Sequence, residues 1–260
     1  MTIDFGLTAT DYATHRAGFP DSLFDQLIGR GIGLPNQTLV DVGTGTGTLA
    51  RGFAARGCQV IGIDPSAPLL EQARRLSVEQ GLTAEFRLGT AESTGLESES
   101  VDVVTAGQCW HWFDGPQAAR EAGRILKPGG GRQDRGWIAI CHFDWIPLAG
   151  NIVELTESLI EKHNPQWKMA DGHGLHPEWL KHLAEAGFVN LETFSHDVFA
   201  PYTHEAWRGR IRASAGVGAS LLPEQVEAFD REHAALLQEK FPESILKVHH
   251  RVWAVVGQKI

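Results

Sequence analysis

Short runs of β-branched residues alternate with longer amphipathic stretches that end at Gly or Pro, and this alternation restricts the fold more than any other feature of the chain. Strands are predicted over 38–42, 59–63, 84–88, 101–105 and 137–141, with two more over 189–194 and 252–256. Between them, helices are predicted over 48–56 closed by Gly57, 67–80 closed by Gly81, and 117–126 stopped by Lys127-Pro128-Gly129, with another over 176–186. Alternation of strands and helices of this kind means a parallel sheet with helices on both faces. Two further stretches, 149–163 and 203–240, carry apolar residues at helical spacing (Ile152, Leu155, Leu159; Val226, Phe229, His233, Leu236, Leu237) and read as a helical lid. No linker or repeat interrupts the pattern, so one domain is expected over 1–260. Its core would lie at about 36–145 plus 188–198 and 249–260, and its lid elements at about 1–30, 146–175 and 200–245.

Composition narrows the possible functions. The chain has 260 residues, 42% of them hydrophobic, enough for a substantial core. A formal net charge of −9 repels phosphate backbones and anionic lipid, so neither nucleic acid nor membrane is an expected partner. Residues 1–18 carry Asp4, Asp11, His15 and Arg16 in place of the apolar run of a signal peptide, and no apolar run matches a bilayer's thickness. Cys58, Cys109 and Cys141 sit in separate apolar segments, as reduced core thiols do; a cytoplasmic protein is expected. His173 and His176 near Asp171 offer no defined ligand geometry, so no metal is expected.

The first strand runs into Asp41-Val42-Gly43-Thr44-Gly45-Thr46-Gly47, a turn whose missing side chains let a ligand reach the backbone and the next helix N-terminus. The second strand ends at Asp64-Pro65-Ser66, where a carboxylate faces the same crevice and can accept two ribose hydroxyls. Gly45, Gly47 and Ala50 also satisfy the dinucleotide pattern G-x-G-x-x-A. On these residues alone a nicotinamide-dependent (NAD(P)) oxidoreductase and a non-catalytic cofactor-binding protein both stay open.

Further pieces separate the readings: Tyr12 to Pro20, Asp41 to Gly47, Ile63-Asp64-Pro65-Ser66, Ala91-Glu92, Gln108-Cys109-Trp110-His111-Trp112-Phe113-Asp114, and Arg124 to Gly130. In this order the chain resembles the class I S-adenosylmethionine-dependent methyltransferases, within them the small-molecule group that includes trans-aconitate and secondary-metabolite methyltransferases. The resemblance covers about the first 145 residues. It implies a Rossmann-like, seven-stranded, mostly parallel sheet with an antiparallel terminal strand, helices on both faces and a helical lid. The implied cofactor is S-adenosyl-L-methionine. Asp41, Gly43, Thr44 and Gly45 would hold its methionine part, Asp64 the ribose, Ala91 and Glu92 the adenine edge, and Pro65 or Leu69 would cover the ring. Gln108 would lie beside the cofactor, and Arg16 could pair with its carboxylate. The chain departs from the family at residues 131–135, an insertion before the fifth strand that falls at the strand edge opposite the crevice.

Methyl transfer from a sulfonium asks the protein mainly to align the reacting atoms and exclude water. If the acceptor is a hydroxyl or N–H, His111 is the candidate base or else a wall residue, Gln108 could orient the acceptor, and His142 is a second candidate. Tyr12, Trp110 and Trp207 are candidates to line the acceptor pocket. Arg208 or Arg212 could clamp an anionic acceptor or else form a solvated stripe. The expected substrate is a small planar or carboxylate-bearing metabolite, methylated on oxygen or nitrogen.

Overall fold

The computed structural model describes residues 18–129 and 136–260. Tyr12, Arg16 and the 131–135 insertion lie outside the described residues. Strand β1 (Thr38–Val42) is buried at every residue but the first, and it pairs in parallel with β2 (Gln59–Asp64) on one side and β4 (Val103–Gly107) on the other. Beyond these lie β3 (Glu85–Leu88) against β2 and β5 (Trp137–Trp145) against β4, also parallel. With β6 (Val189–Tyr202) and β7 (Leu246–Gln258) the sheet has seven strands in the order β3-β2-β1-β4-β5-β7-β6, a mixed Rossmann-like sheet with antiparallel terminal strands. The order reverses between β1 and β4, and an open sheet of this kind leaves a crevice at that switch, outside the carboxyl ends of its strands.

The crossovers follow from the sequence punctuation. Helix α1 (Asp21–Ile28) precedes the sheet, α2 (Thr48–Ala54) follows β1, α3 (Ala67–Glu79) follows β2, and α4 (Gly115–Ile125) follows β4. The Asp114 side chain caps α4 by accepting the Gln117 N–H. Helix α1 was not expected, yet Leu23, Phe24 and Leu27 give it a one-sided buried face, and Phe24 meets Phe53 of α2 edge-on at 5.1 Å.

The described chain forms two compact units: residues 18–142, 176–195 and 253–260, and residues 143–175 and 196–252. In the first, Val40, Val42, Ile63, Val104, Ile138 and Ile140 build a core joined by Trp179 and Leu183 of α6 (Trp179–Glu185) and by Trp253 and Val255 of β7. In the second, α5 (Ile152–His163), α7 (His204–Arg212) and α8 (Pro223–Lys240) pack together. Helix α5 starts later than the periodicity suggested, because Gly150 takes φ 77° and Asn151 supplies the cap to the Glu154 N–H. The stretch read as helical over 203–240 is two helices, interrupted by turns over 213–222 where Gly216, Gly218 and Ser220 occur before Pro223 opens α8. Among the described residues no helix is long and apolar enough to cross a membrane. Cys58, Cys109 and Cys141 are buried thiols, and burial pushes Cys58 up to about 11.

Candidate functional site

The turn after β1 is built from three glycines in the left-handed region, Gly43 (φ 63°), Gly45 (φ 56°) and Gly47 (φ 77°). Their neighbourhoods differ. A Cβ on Gly43 would lie 2.7 Å from the Phe113 ring and 2.8 Å from Cys109 Sγ, whereas a Cβ on Gly45 would meet nothing within 4 Å. Gly43 is therefore a packing glycine, and Gly45 is the place where the backbone lies open. Gly47 caps the N-terminus of α2, and the Thr44 N–H donates to Ile63 O, holding the turn against the end of β2.

Asp64, at the end of β2, is buried with its carboxylate in this turn. Gly45 N–H donates to Oδ2 and Ser66 N–H donates to Oδ1, each at 2.8 Å. Each oxygen keeps a lone pair for a further donor. Burial raises the Asp64 pKa from its ordinary value, and the two backbone donors work against that rise.

Asp41, expected to reach a ligand itself, is 1% exposed, and its carboxylate accepts the Thr44 hydroxyl at 2.6 Å and the Thr105 hydroxyl at 2.8 Å. Burial pushes it up to about 6, with nearby Asp64 adding to the rise and the two hydroxyls opposing it. These two bonds tie Asp41 to Thr44 of the turn and to Thr105 of β4. Sequence reasoning missed Thr105; a polar residue in the otherwise apolar Val103-Val104-Thr105-Ala106, in register with Asp41, was its only signal.

Leu69 is buried on the first turn of α3 and Pro65 is exposed before it. Ala91 is buried, while Glu92 is half-buried and accepts the Asp114 N–H at 3.0 Å, tying the loop after β3 to the α4 cap. At the end of β4, Gln108 takes φ 56°, unusual for a residue with a Cβ, while its N–H donates to Cys141 O. That kink sends the chain into a single 3₁₀ turn, Trp110–Trp112. The turn divides its side chains. Trp110 is 1% exposed, its indole N–H donating to His182 Nδ1 at 3.2 Å, while His111 and Trp112 are exposed. Trp110, expected to line the acceptor pocket, packs in the core cluster.

His111 stands with its ring 4.5 Å from Trp112 and 5.5 Å from His142. His142 is buried behind it, 4.3 Å from the His176 ring and 4.8 Å from Trp179. His176 stacks flat on Trp179 at 4.2 Å. His142 thus sits in an imidazole–indole cluster with His111 at its exposed edge, and His176 and Trp179 are members that no motif announced.

Within the unit of residues 143–175 and 196–252, the remaining expected residues are also engaged by the protein. Trp207 is fully buried, its N–H donating to Thr156 Oγ1. Arg208 Nε and Arg212 Nη1 donate to Asp230 Oδ1 at 3.0 and 2.9 Å, and Arg212 also pairs with Glu205 at 2.7 Å. Burial tends to raise Asp230, but the two guanidinium groups win and hold it below its ordinary value. Arg208 and Arg212, the expected clamp, form an ion-pair network with Glu205 of α7 and Asp230 of α8.

Comparison with known proteins bears on this geometry. A family model described as "Methyltransferase domain" matches residues 40–131, which include the Gly turn, Asp64 and the 3₁₀ turn. An uncharacterized methyltransferase of Mycobacterium tuberculosis is 30% identical over 181 residues, covering 64% of this chain and 71% of that one. Among solved structures, the YcgJ protein of Bacillus subtilis superposes with a TM-score of 0.58 at 18% identity, covering 92% of this chain and 99% of the other. The phosphoethanolamine N-methyltransferase 2 of Haemonchus contortus, solved with phosphomonomethylethanolamine and S-adenosylhomocysteine, superposes with a TM-score of 0.56 at 19% identity, covering 98% and 57%. Both structural likenesses concern the fold.

Proposed function

Because the chain belongs to the class I S-adenosylmethionine-dependent methyltransferases, we propose that it transfers a methyl group to an oxygen or nitrogen atom of a small planar or carboxylate-bearing metabolite. Family membership removes the nicotinamide-dependent alternative and the non-catalytic one. The observation that carries the reading is the joint between Gly45 and Asp64 at the carboxyl ends of β1 and β2, where an open backbone stands beside a carboxylate with lone pairs to spare.

The crevice residues fit the cofactor. Asp64 would accept the ribose hydroxyls, Gly43, Thr44 and Gly45 would offer backbone to the methionine part, and Asp41 would act through Thr44 and Thr105 by keeping that backbone in place. Ala91 and Glu92 would meet the adenine edge, with Leu69 and Pro65 over the ring and Gln108 at the cofactor's side. When bound, S-adenosylmethionine supplies an electrophilic methyl group whose leaving group is a neutral thioether.

What this chain's residues add is alignment, exclusion of water and one proton. An unprotonated ring nitrogen of His111 would take the proton of a hydroxyl or N–H acceptor, and the cluster of buried His142 and Trp179 with half-buried His176 would hold that ring in place. The Gln108 amide would orient the acceptor. A carboxylate acceptor has no proton to lose and needs no base.

The test is incubation with methyl-labelled S-adenosylmethionine and a cell small-molecule extract, followed by mild base. Label is expected in the small-molecule fraction. Methanol released by base marks an ester and a carboxylate acceptor, and base-stable label marks an ether or an amine. Label absent from that fraction would contradict the proposal.

A further inference from the structure

Helix α7 carries three arginines, Arg208, Arg210 and Arg212, in nine residues. At 100° per residue, Arg208 and Arg212 share one flank of the buried Trp207, and Arg210 occupies the other. The two flanks meet different surroundings. Arg208 and Arg212 are neutralised by Asp230 and Glu205. Arg210 lies with its guanidinium carbon 4.8 Å from the centre of the Trp145 ring. Among the described residues no carboxylate forms an ion pair with it, and Tyr202 and Asp144 favour its charge electrostatically. A cation–π contact of this kind does not itself consume the N–H donors at the rim of a guanidinium.

The platform is fixed before any ligand arrives. Trp145 Nε1–H donates to Glu157 at 2.7 Å, the other Glu157 oxygen accepts the Asp171 N–H, and Trp145 packs edge-on against Trp207 at 5.6 Å. Burial pushes the Arg210 pKa down, and the nearby Tyr202 and Asp144 act against that shift. A half-buried cation of this kind is stabilised when a carboxylate takes the fork.

We propose that Arg210 and Trp145 form a recognition site for a planar organic carboxylate, the carboxylate on the guanidinium fork and the planar body beside the indole. The site lies within the unit of residues 143–175 and 196–252, and the proposal concerns recognition of the acid there.

The experiment titrates the full-length protein with trans-cinnamate and with its neutral amide, cinnamamide, by calorimetry, in wild type, Arg210→Met and Arg210→Lys. S-adenosylhomocysteine is titrated into each variant in parallel. Cinnamate is expected to bind at least about tenfold more tightly than cinnamamide, Arg210→Met to erase that preference, and Arg210→Lys, which keeps charge without the fork, to retain part of it. S-adenosylhomocysteine affinity should be the same in all three proteins, which also reports that each is folded. Equal binding of acid and amide by wild type, a preference surviving in Arg210→Met, or no cinnamate heat up to about 10 mM would overturn the proposal. Failure of the methyltransferase reading is a different outcome, wild type not binding S-adenosylhomocysteine. Methyl label on the cinnamate carboxylate would mark the acid as acceptor, and cinnamate bound but unmethylated would mark it as a ligand recognised by the same chemistry; both support the site.

Discussion

The Gly45 N–H donates to Asp64 Oδ2 over 2.8 Å, and this single bond joins the turn after β1 to the end of β2. It explains why the glycine is open on its outer side and why the acid is buried: the carboxylate is held by backbone donors on the inside and keeps its remaining lone pairs for a ligand. Asp41 works beneath it. Its oxygens are given to Thr44 of the turn and Thr105 of β4.

The glycines of the turn should separate in stability measurements. Gly45→Ala meets no atom and suffers only the left-handed backbone, about 1–2 kcal/mol, which for a chain of this size lowers Tm by roughly 2–8 °C. Gly43→Ala adds a collision with Phe113 and Cys109 and should lower Tm at least about twice as far. Equal melting temperatures would show that Gly43 is not the packing glycine.

His111→Ala tests the proton. With a hydroxyl or N–H acceptor, the wild-type rate should rise with pH as the imidazole loses its proton. The variant should be slower by about 10²–10⁴ with a flat profile. A variant that keeps the wild-type profile would leave His111 a wall residue.

Acid stability follows from His233. Thr156 Oγ1 donates to Ile152 O and accepts the Trp207 N–H, so the His233 Nε2 beside it at 3.1 Å must be the donor, which leaves a neutral ring with bare Nδ1. Burial pushes its pKa down to about 4. Between the ordinary histidine value and about 4 the unfolded chain takes a proton that the folded chain refuses, so stability falls as pH falls through that window. His233→Leu should lose less stability than wild type between pH 6.5 and 4, the difference reaching about 3 kcal/mol in urea titrations. Parallel pH profiles would contradict the assignment.

The parallel part of the sheet was legible because β1, β2 and β4 are short, largely apolar and closed by Gly43, Pro65 and Gly107, and their predicted ranges differ from the observed ones by at most two residues. The later strands were read too short: β5 continues through Phe143-Asp144-Trp145, where local pattern gives no reason to extend it and pairing within the sheet does. The positions of the Gly turn, Asp64 and the Trp-His-Trp turn were also legible, since they follow strand ends. Which tryptophan of that turn faces inward was not, because a 3₁₀ turn divides neighbouring side chains by geometry that composition does not carry. The three arginines of α7 show the same limit. Choosing among them required knowing that Asp230, 18 residues beyond Arg212, returns to the Arg208–Arg212 flank.

The central claim is that the joint between β1 and β2 holds the nucleoside. Calorimetric titration of S-adenosylhomocysteine into wild type, Asp64→Asn and Asp64→Ala tests it most directly. Wild type should bind, Asp64→Asn should weaken binding at least about tenfold, and Asp64→Ala, which removes both ribose acceptors and releases Gly45, about a hundredfold or more. Wild-type affinity in Asp64→Ala would contradict the account.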